Sequence, residues 1–279
     1  MRLVLNADDL GLAPALTRRV VALRAQGAVS DTSLLAGGRS AREAIDGLLA
    51  AGVRNVGVHL CLVGGERPLA PAGSVPSLLA GGAFRVHWSR VLSALASGTI
   101  RVAEVEREWE EQITRVASSG LAVTHLDSHQ HLHLHPALFP VAVRLARRFG
   151  VPYVRAPLAL DPAAVPGASP AGILRARLLA MLGTRGRKLL AAAGLPDPPQ
   201  VIGLAEAGRM TVERLGRLLD RLGEGDFEVV LHPGDEDDVT RAHYGWGYAW
   251  RVEADALESS VEILAAHGTR AVDFAALAR

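Results

Sequence analysis

The 279-residue chain carries 30 Lys and Arg against 29 Asp and Glu, a net charge of +1, which gives no long-range pull toward nucleic acid or an acidic surface. Hydrophobic residues make up 49%, ample for a sizeable core, and the lone cysteine, Cys61, excludes an intramolecular disulfide and suits a reducing compartment. No uncharged stretch is both long and apolar enough for a transmembrane helix of roughly 18 residues; residues 68–84 are uncharged but broken by prolines and glycines. Asp8 and Asp9 interrupt the first apolar run too early for a signal peptide, so a cytoplasmic location is expected.

In chain order, short apolar strands alternate with helical patterns. Residues 3–7 read as a first strand running into Asp8-Asp9-Leu10-Gly11. Residues 15–26 read as a helix, with Leu16, Val20 and Leu23 on one face and Gly27 as its stop. A second strand is expected at 32–36, a helix capped by Ser40 through residue 51, and a third strand at 55–62. A charged helix follows at 102–117, a fourth strand from 122 to 126 and a helix at 140–149. A fifth strand at 153–155, a helical piece at 173–182, a sixth strand at 201–204 and a helix at 211–222 come next. A seventh strand at 227–231, a helix at 253–266 and a closing segment at 271–274 complete the set.

Seven or eight unbroken βα repeats predict one domain over residues 1–279, a parallel, TIM-like β/α barrel, if a distorted one. Excursions are expected at about 64–100, 161–200 and 233–251. A doubly wound open sheet is the runner-up. Either fold puts chemistry at the C-terminal ends of the strands.

The reactive residues fall at those ends. Asp8 and Asp9 follow strand one, His59 ends strand three, Arg155 ends strand five, and strand seven ends in His232-Pro233-Gly234-Asp235. Strand four runs into Thr124-His125-Leu126-Asp127-Ser128-His129-Gln130-His131-Leu132-His133-Leu134-His135. Taken singly, an Asp-Asp pair is as readily a cap, a lone His a core residue and a His-Pro-Gly run a turn. Five of the ten histidines lie between 125 and 135, an alternation that a strand would place on one face. Extended, that run spans about 33 Å, so one or two of these histidines could share an ion; the strand end near Asp127 and His129 is best placed. Two His and one carboxylate make a hydrolytic metal site, and a second carboxylate beside them can accept a proton from water.

These motifs, Asn6-Ala7-Asp8-Asp9-Leu10-Gly11, Gly57-Val58-His59-Leu60, the histidine run and Leu231-His232-Pro233-Gly234, resemble in order those of the YdjC-like carbohydrate deacetylases, from residue 6 to at least 234. The stretch His243-Tyr244-Gly245-Trp246-Gly247-Tyr248-Ala249-Trp250 is similar to the hopanoid-biosynthesis branch of that family. The resemblance implies a β/α barrel, one divalent metal on Asp9, His59 and His129, and removal of an N-acetyl group from an amino sugar. By analogy with other sugar deacetylases, Asp8 is the general base and His232 the general acid. The branch implies an N-acetylglucosaminyl group on a polycyclic lipid. Arg155, His125, Asp127, Trp246 and Tyr248 are expected to contact the substrate, with Arg155 also placed to pair with Asp8. Two imidazoles favour Zn²⁺, with Mg²⁺ the alternative. Another mononuclear metallohydrolase, or a metal-dependent sugar-binding protein, is the competing expectation. The oligomeric state stays open, a homo-oligomer included. Residues 173–188, apolar with a basic cluster at Arg185, Arg187 and Lys188 and no acid, predict weak peripheral contact with an anionic membrane.

Overall fold

The computed structural model describes residues 1–158, 168–244 and 247–278. Its strands are β1 (Arg2–Leu10), β2 (Asp31–Leu34), β3 (Asn55–Leu60), β4 (Leu79–Ala80), β5 (Ala83–Phe84), β6 (Ala122–Ser128), β7 (Tyr153–Val154), β8 (Gln200–Ile202) and β9 (Asp226–Leu231). Its helices are α1 (Pro14–Ala25), α2 (Ala41–Ala50), α3 (Trp88–Ala96), α4 (Val102–Ala117), α5 (Phe139–Phe149), α6 (Pro170–Ala192), α7 (Val212–Leu219), α8 (Asp238–His243), α9 (Trp250–Glu258), α10 (Ser260–Ala266) and α11 (Phe274–Leu277).

Seven strands form one parallel sheet in the order β7-β6-β3-β2-β1-β9-β8; β4 and β5 make a separate antiparallel hairpin. Along β1 the faces alternate. Leu3, Leu5 and Ala7 join the main apolar core, while Val4 packs on Tyr153 and Asn6 bonds to Ser33 on the inner side. The inner face is mostly polar, and β2, β3, β6 and β9 deliver Asp31, Ser33, His59, His125, Asp127 and Glu228 to it, all buried. Arg155, just past edge strand β7, reaches Asp8 on β1 and Glu228 on β9, although β6, β3 and β2 lie between. Only a strongly curled sheet permits that span.

The expected barrel does not close. Among the described residues β7 and β8 are edges that do not pair, and the sheet is a curled half-barrel. With two residues in β7 and three in β8, neither edge offers a ladder long enough to join. The closing strand expected at 271–274 is a single bridge, Ala271 to Leu3, after which α11 turns Phe274 and Leu277 onto Val4 and Tyr153. There Phe274 N donates to Asp31 Oδ2 at 2.9 Å, and Asn55 Nδ2 donates to Asp273 Oδ2 at 3.1 Å. These residues plug the N-terminal end of the interior.

Two other expectations change. The helix expected at 253–266 breaks at Ser259 into α9 and α10. The short helical piece at 173–182 is the 23-residue α6, begun by the Ser169 cap and Pro170. Gly183 looks like a breaker in the sequence, but a Cβ there would lie 2.0 Å from Pro157 O. It is the close-packing point of the helix, not its end.

Candidate metal centre and active site

The site begins with an irregularity in β1. Its pairing with β2 shifts register between Ala7 and Leu10, and Asp9 adopts φ 63°. In a regular strand, neighbours point to opposite faces. The bulge turns both Asp8 and Asp9 inward, and a non-glycine residue in the left-handed region is a strain typical of functional positions.

Asp9 Oδ1 then lies 3.2 Å from His59 Nε2 and 2.7 Å from His129 Nδ1. These three buried residues offer ligand atoms all within 4.8 Å of one another. His59 is oriented from behind, since its Nδ1 donates to Asp127 Oδ1 at 2.8 Å. Burial works against a charge on His59, but Asp127, Asp8 and Asp9 outweigh it and push its pKa up to about 10. Asp9 is likewise held well below the usual carboxylate range by His129 and His59 despite burial. The pocket therefore favours positive charge where the three ligand atoms meet. Two imidazoles, one carboxylate and an outer carboxylate on an imidazole fit a divalent cation.

A second group, Asp8, His59 and Asp127, does not fit another ion. Its carboxylates are already taken by Arg155. Nη1 donates to Asp8 Oδ2 and Nη2 to Asp8 Oδ1, each at 2.7 Å, while Nη2 also lies 2.7 Å from Asp127 Oδ2. Nη2 and Nε meet Glu228 Oε1 at 2.5 and 3.0 Å. One guanidinium thus serves three carboxylates. Burial pushes Glu228 up to about 7, against the pull of Arg155.

The structure places Arg155, His125 and Asp127 in the floor beneath the ligand group, all buried, rather than on an open surface. Gly57, opposite His125, leaves the room that the ring uses: a Cβ there would fall 2.1 Å from its Nε2. Ser33 Oγ accepts from Asn6 and donates to Asp127 Oδ2, so His125 Nε2, 3.0 Å away, carries the proton toward it. His125 stacks on Phe274 with centroids 3.9 Å apart, and burial lowers its pKa to about 3.

The histidine alternation does not continue as a strand. β6 ends at Ser128, and Gln130 and His131 take φ 56° and 55° in a tight turn over His129–Leu134. His133 turns inward, its Nε2 donating to Arg155 O at 2.9 Å while Ser128 Oγ lies 2.6 Å from Nδ1. His135 is half-buried.

Leu231 pairs with Ala7, so His232 stands one rung on, alongside Asp8. Its ring lies 4.8 Å from that of Tyr248. Trp246 lies outside the described residues. Sequence reasoning missed Glu253, a buried carboxylate on α9 that accepts from Met210 N and His232 N and lies 3.9 Å from His232 Nδ1. It also missed Glu228, whose signal was an acid inside the apolar run of β9.

The family model described as YdjC-like protein matches residues 2–276. A Brevibacillus brevis protein named carbohydrate deacetylase is 35% identical over 153 residues, covering 54% of this chain and 58% of its own length. The chain thus spans under two thirds of the length of that bacterial relative. A Mus musculus protein of the same name is 31% identical over 250 residues, covering 84% of this chain and 78% of its own. The fold matches a crystal structure of an Enterococcus faecalis V583 protein named for cellobiose-phosphate cleavage, with TM-score 0.79 at 24% identity, over 99% of this chain and 98% of that one. From a match that runs nearly end to end, and from a relative covered over most of its length, this chain belongs to the YdjC-like family.

Proposed function

We propose that the protein is a metal-dependent hydrolase that removes the N-acetyl group from an amino sugar. One observation carries the reading: the donor set Asp9, His59 and His129 stands beside a second carboxylate, Asp8, that is clamped in place. The names of the curated relatives support the substrate class. Asp9, His59 and His129 would hold the ion, and their two imidazoles favour Zn²⁺ over Mg²⁺. When bound, such an ion supplies Lewis acidity, lowering the pKa of water and polarising a carbonyl.

The chain's own groups do the rest. Asp8 Oδ1 accepts from Asn6 and Arg155, and Oδ2 from Arg155, which uses three of about four acceptor sites. The remaining site on Oδ2 takes the proton of the attacking water. His232, one rung along, gives a proton to the departing amine, which leaves poorly without one. Tyr248 lies against the His232 ring and forms a wall for the sugar. Arg155 holds the base Asp8, Asp127 holds the ligand His59, and Glu253 holds the backbone of the acid His232. Arg155 also fills the place a second metal would need, which argues against a two-metal phosphoesterase. The likeness of residues 243–250 to the hopanoid-biosynthesis branch supports an N-acetylglucosaminyl hopanoid as the particular substrate.

The test is acetate release from N-acetylglucosaminyl compounds by protein loaded with Zn²⁺, compared with chelator-stripped protein. Metal content by mass spectrometry fixes the ion. Metal-loaded protein that binds the sugar and releases no acetate would leave a binding protein as the reading.

A further inference from the structure

Eight large apolar side chains are exposed among the described residues, and four of them, Leu174, Leu178, Met181 and Leu189, lie on α6. Leu174, Leu178 and Met181 are 70%, 52% and 63% exposed. Spacings of four and three residues put them on one face of the helix. Arg185 and Lys188 continue that face toward its C-terminal end, and Arg177 flanks it, all three exposed. The opposite face is seated: Leu179, Ala180, Gly183, Gly186 and Leu190 are buried, and the two glycines sit against Pro157 and Phe139. The outer leucines are therefore not a core face that failed to find its place. α6 is apolar on both sides, and only one side is used by the fold.

We propose that this outer face of α6 rests on the surface of an anionic lipid bilayer. The charges identify the occupant. No Asp or Glu occurs from residue 168 to 196, and Arg177, Arg185 and Lys188 make no ion pair among the described residues. The other two basic residues already have partners, Arg175 while exposed and Arg187 while part-buried. Arg175 Nη2 donates to Leu204 O, and Arg187 donates to Ala156 O and Pro199 O and pairs with Asp197. The free cations are thus the three that border the apolar patch. A second copy docked on this face across a two-fold axis would set cation against cation. A convex helix with an apolar middle and cationic border is the arrangement of an interfacial helix, and each basic residue near an anionic surface strengthens partitioning about fivefold. The placement also matters. α6 packs on the His129–Leu134 turn, and its Gly172 has no room for a side chain beneath Ala205 O, so the helix borders the rim where the candidate site opens. The surface is independent of the chemistry proposed for that site.

The experiment is flotation of the full chain with phosphatidylcholine vesicles containing about a third phosphatidylglycerol, against pure phosphatidylcholine, at low and high salt. Binding is expected to the anionic vesicles only and to fade with salt, as screening by a shortened Debye length requires. A variant with Arg177→Glu, Arg185→Glu and Lys188→Glu should bind at least roughly a hundredfold more weakly, from three fivefold steps for the lost cations before any repulsion of the new carboxylates. A variant with Leu174→Ser, Leu178→Ser and Met181→Ser should also lose binding, with circular dichroism and thermal midpoint unchanged because these side chains touch solvent. Wild type that fails to float with anionic vesicles at low salt overturns the proposal. So does either variant floating like wild type. Light scattering that shows a dimer, dispersed by the serine variant, would give the face to a second copy instead.

Discussion

Asp127→Asn keeps the shape of a buried side chain and changes only what it can accept. In the native protein every neighbour of Asp127 is a donor. His59 Nδ1 gives to Oδ1 at 2.8 Å, Ser33 Oγ gives to Oδ2 at 2.8 Å, and Arg155 Nη2 lies 2.7 Å from Oδ2. An asparagine offers acceptors at one end and an NH₂ at the other. With its nitrogen toward His59, it meets an N–H with an N–H unless the imidazole changes tautomer, and that would move the proton onto Nε2, the atom facing Asp9. With its nitrogen the other way, it opposes a guanidinium and a hydroxyl already committed as donors. Neither setting satisfies both ends. Loss of an outer partner of a ligating histidine typically costs about 10–100-fold in metal affinity, or about 1.4–2.7 kcal/mol. Calorimetric titration of chelator-stripped protein with Zn²⁺ measures it directly, with near-ultraviolet circular dichroism as the check on packing. A folded Asp127→Asn protein whose Zn²⁺ affinity is within twofold of wild type would refute the orienting role and, with it, the ligand role of His59.

Asp8→Asn should keep metal content and abolish most acetate release, whereas Asp9→Asn should lose the metal itself; equal metal loss in the two would end this division of labour. His232→Ala should lower kcat by about 10²–10⁴-fold with metal content unchanged, and Glu253→Gln should give a smaller loss that shifts the pH profile, since its carboxylate lies 3.9 Å from His232 Nδ1. Glu228, pushed up to about 7, stays protonated in the folded protein at pH values where the unfolded chain, near 4.5, has released its proton. Its contribution is therefore full below about 4.5 and is lost as pH rises through about 7. Relative to wild type, Glu228→Gln should improve by up to about 1.4 kcal/mol per pH unit across that window. Denaturant unfolding at a series of pH values that gives parallel curves for the two proteins would contradict it.

Much of the site was legible because its residues end strands. Asp8, Asp9, His59 and His232 stood next to apolar runs of strand length, and a parallel sheet delivers such positions to one rim. Their depth was not legible. Nothing in the alternation from His125 to His135 reveals that Gln130 and His131 turn left-handed, or that His125 lies in the floor behind an aromatic ring. Nor does a glycine in a helix say whether it ends the helix or lets it approach a neighbour. Gly183 does the second, and so α6 runs ten residues past the expected end at residue 182. The open edge between β7 and β8 was hidden for a related reason. Repeat counting gives strand number, but closure depends on edge lengths, which two- and three-residue strands do not announce.

The plug formed by residues 271–277 ties the two ends of the described chain together. Phe274 N meets Asp31 across 243 positions of chain, and the same ring covers His125. Without those residues, the charged interior built by β1, β2, β3, β6 and β9 has an open N-terminal end. Contacts of such separation slow folding, because the entropy of closing the chain comes before the gain. The end of the described chain thus closes the interior that its first strands open, and removing residues 271–277 would bare the His125 ring and take a backbone donor from Asp31.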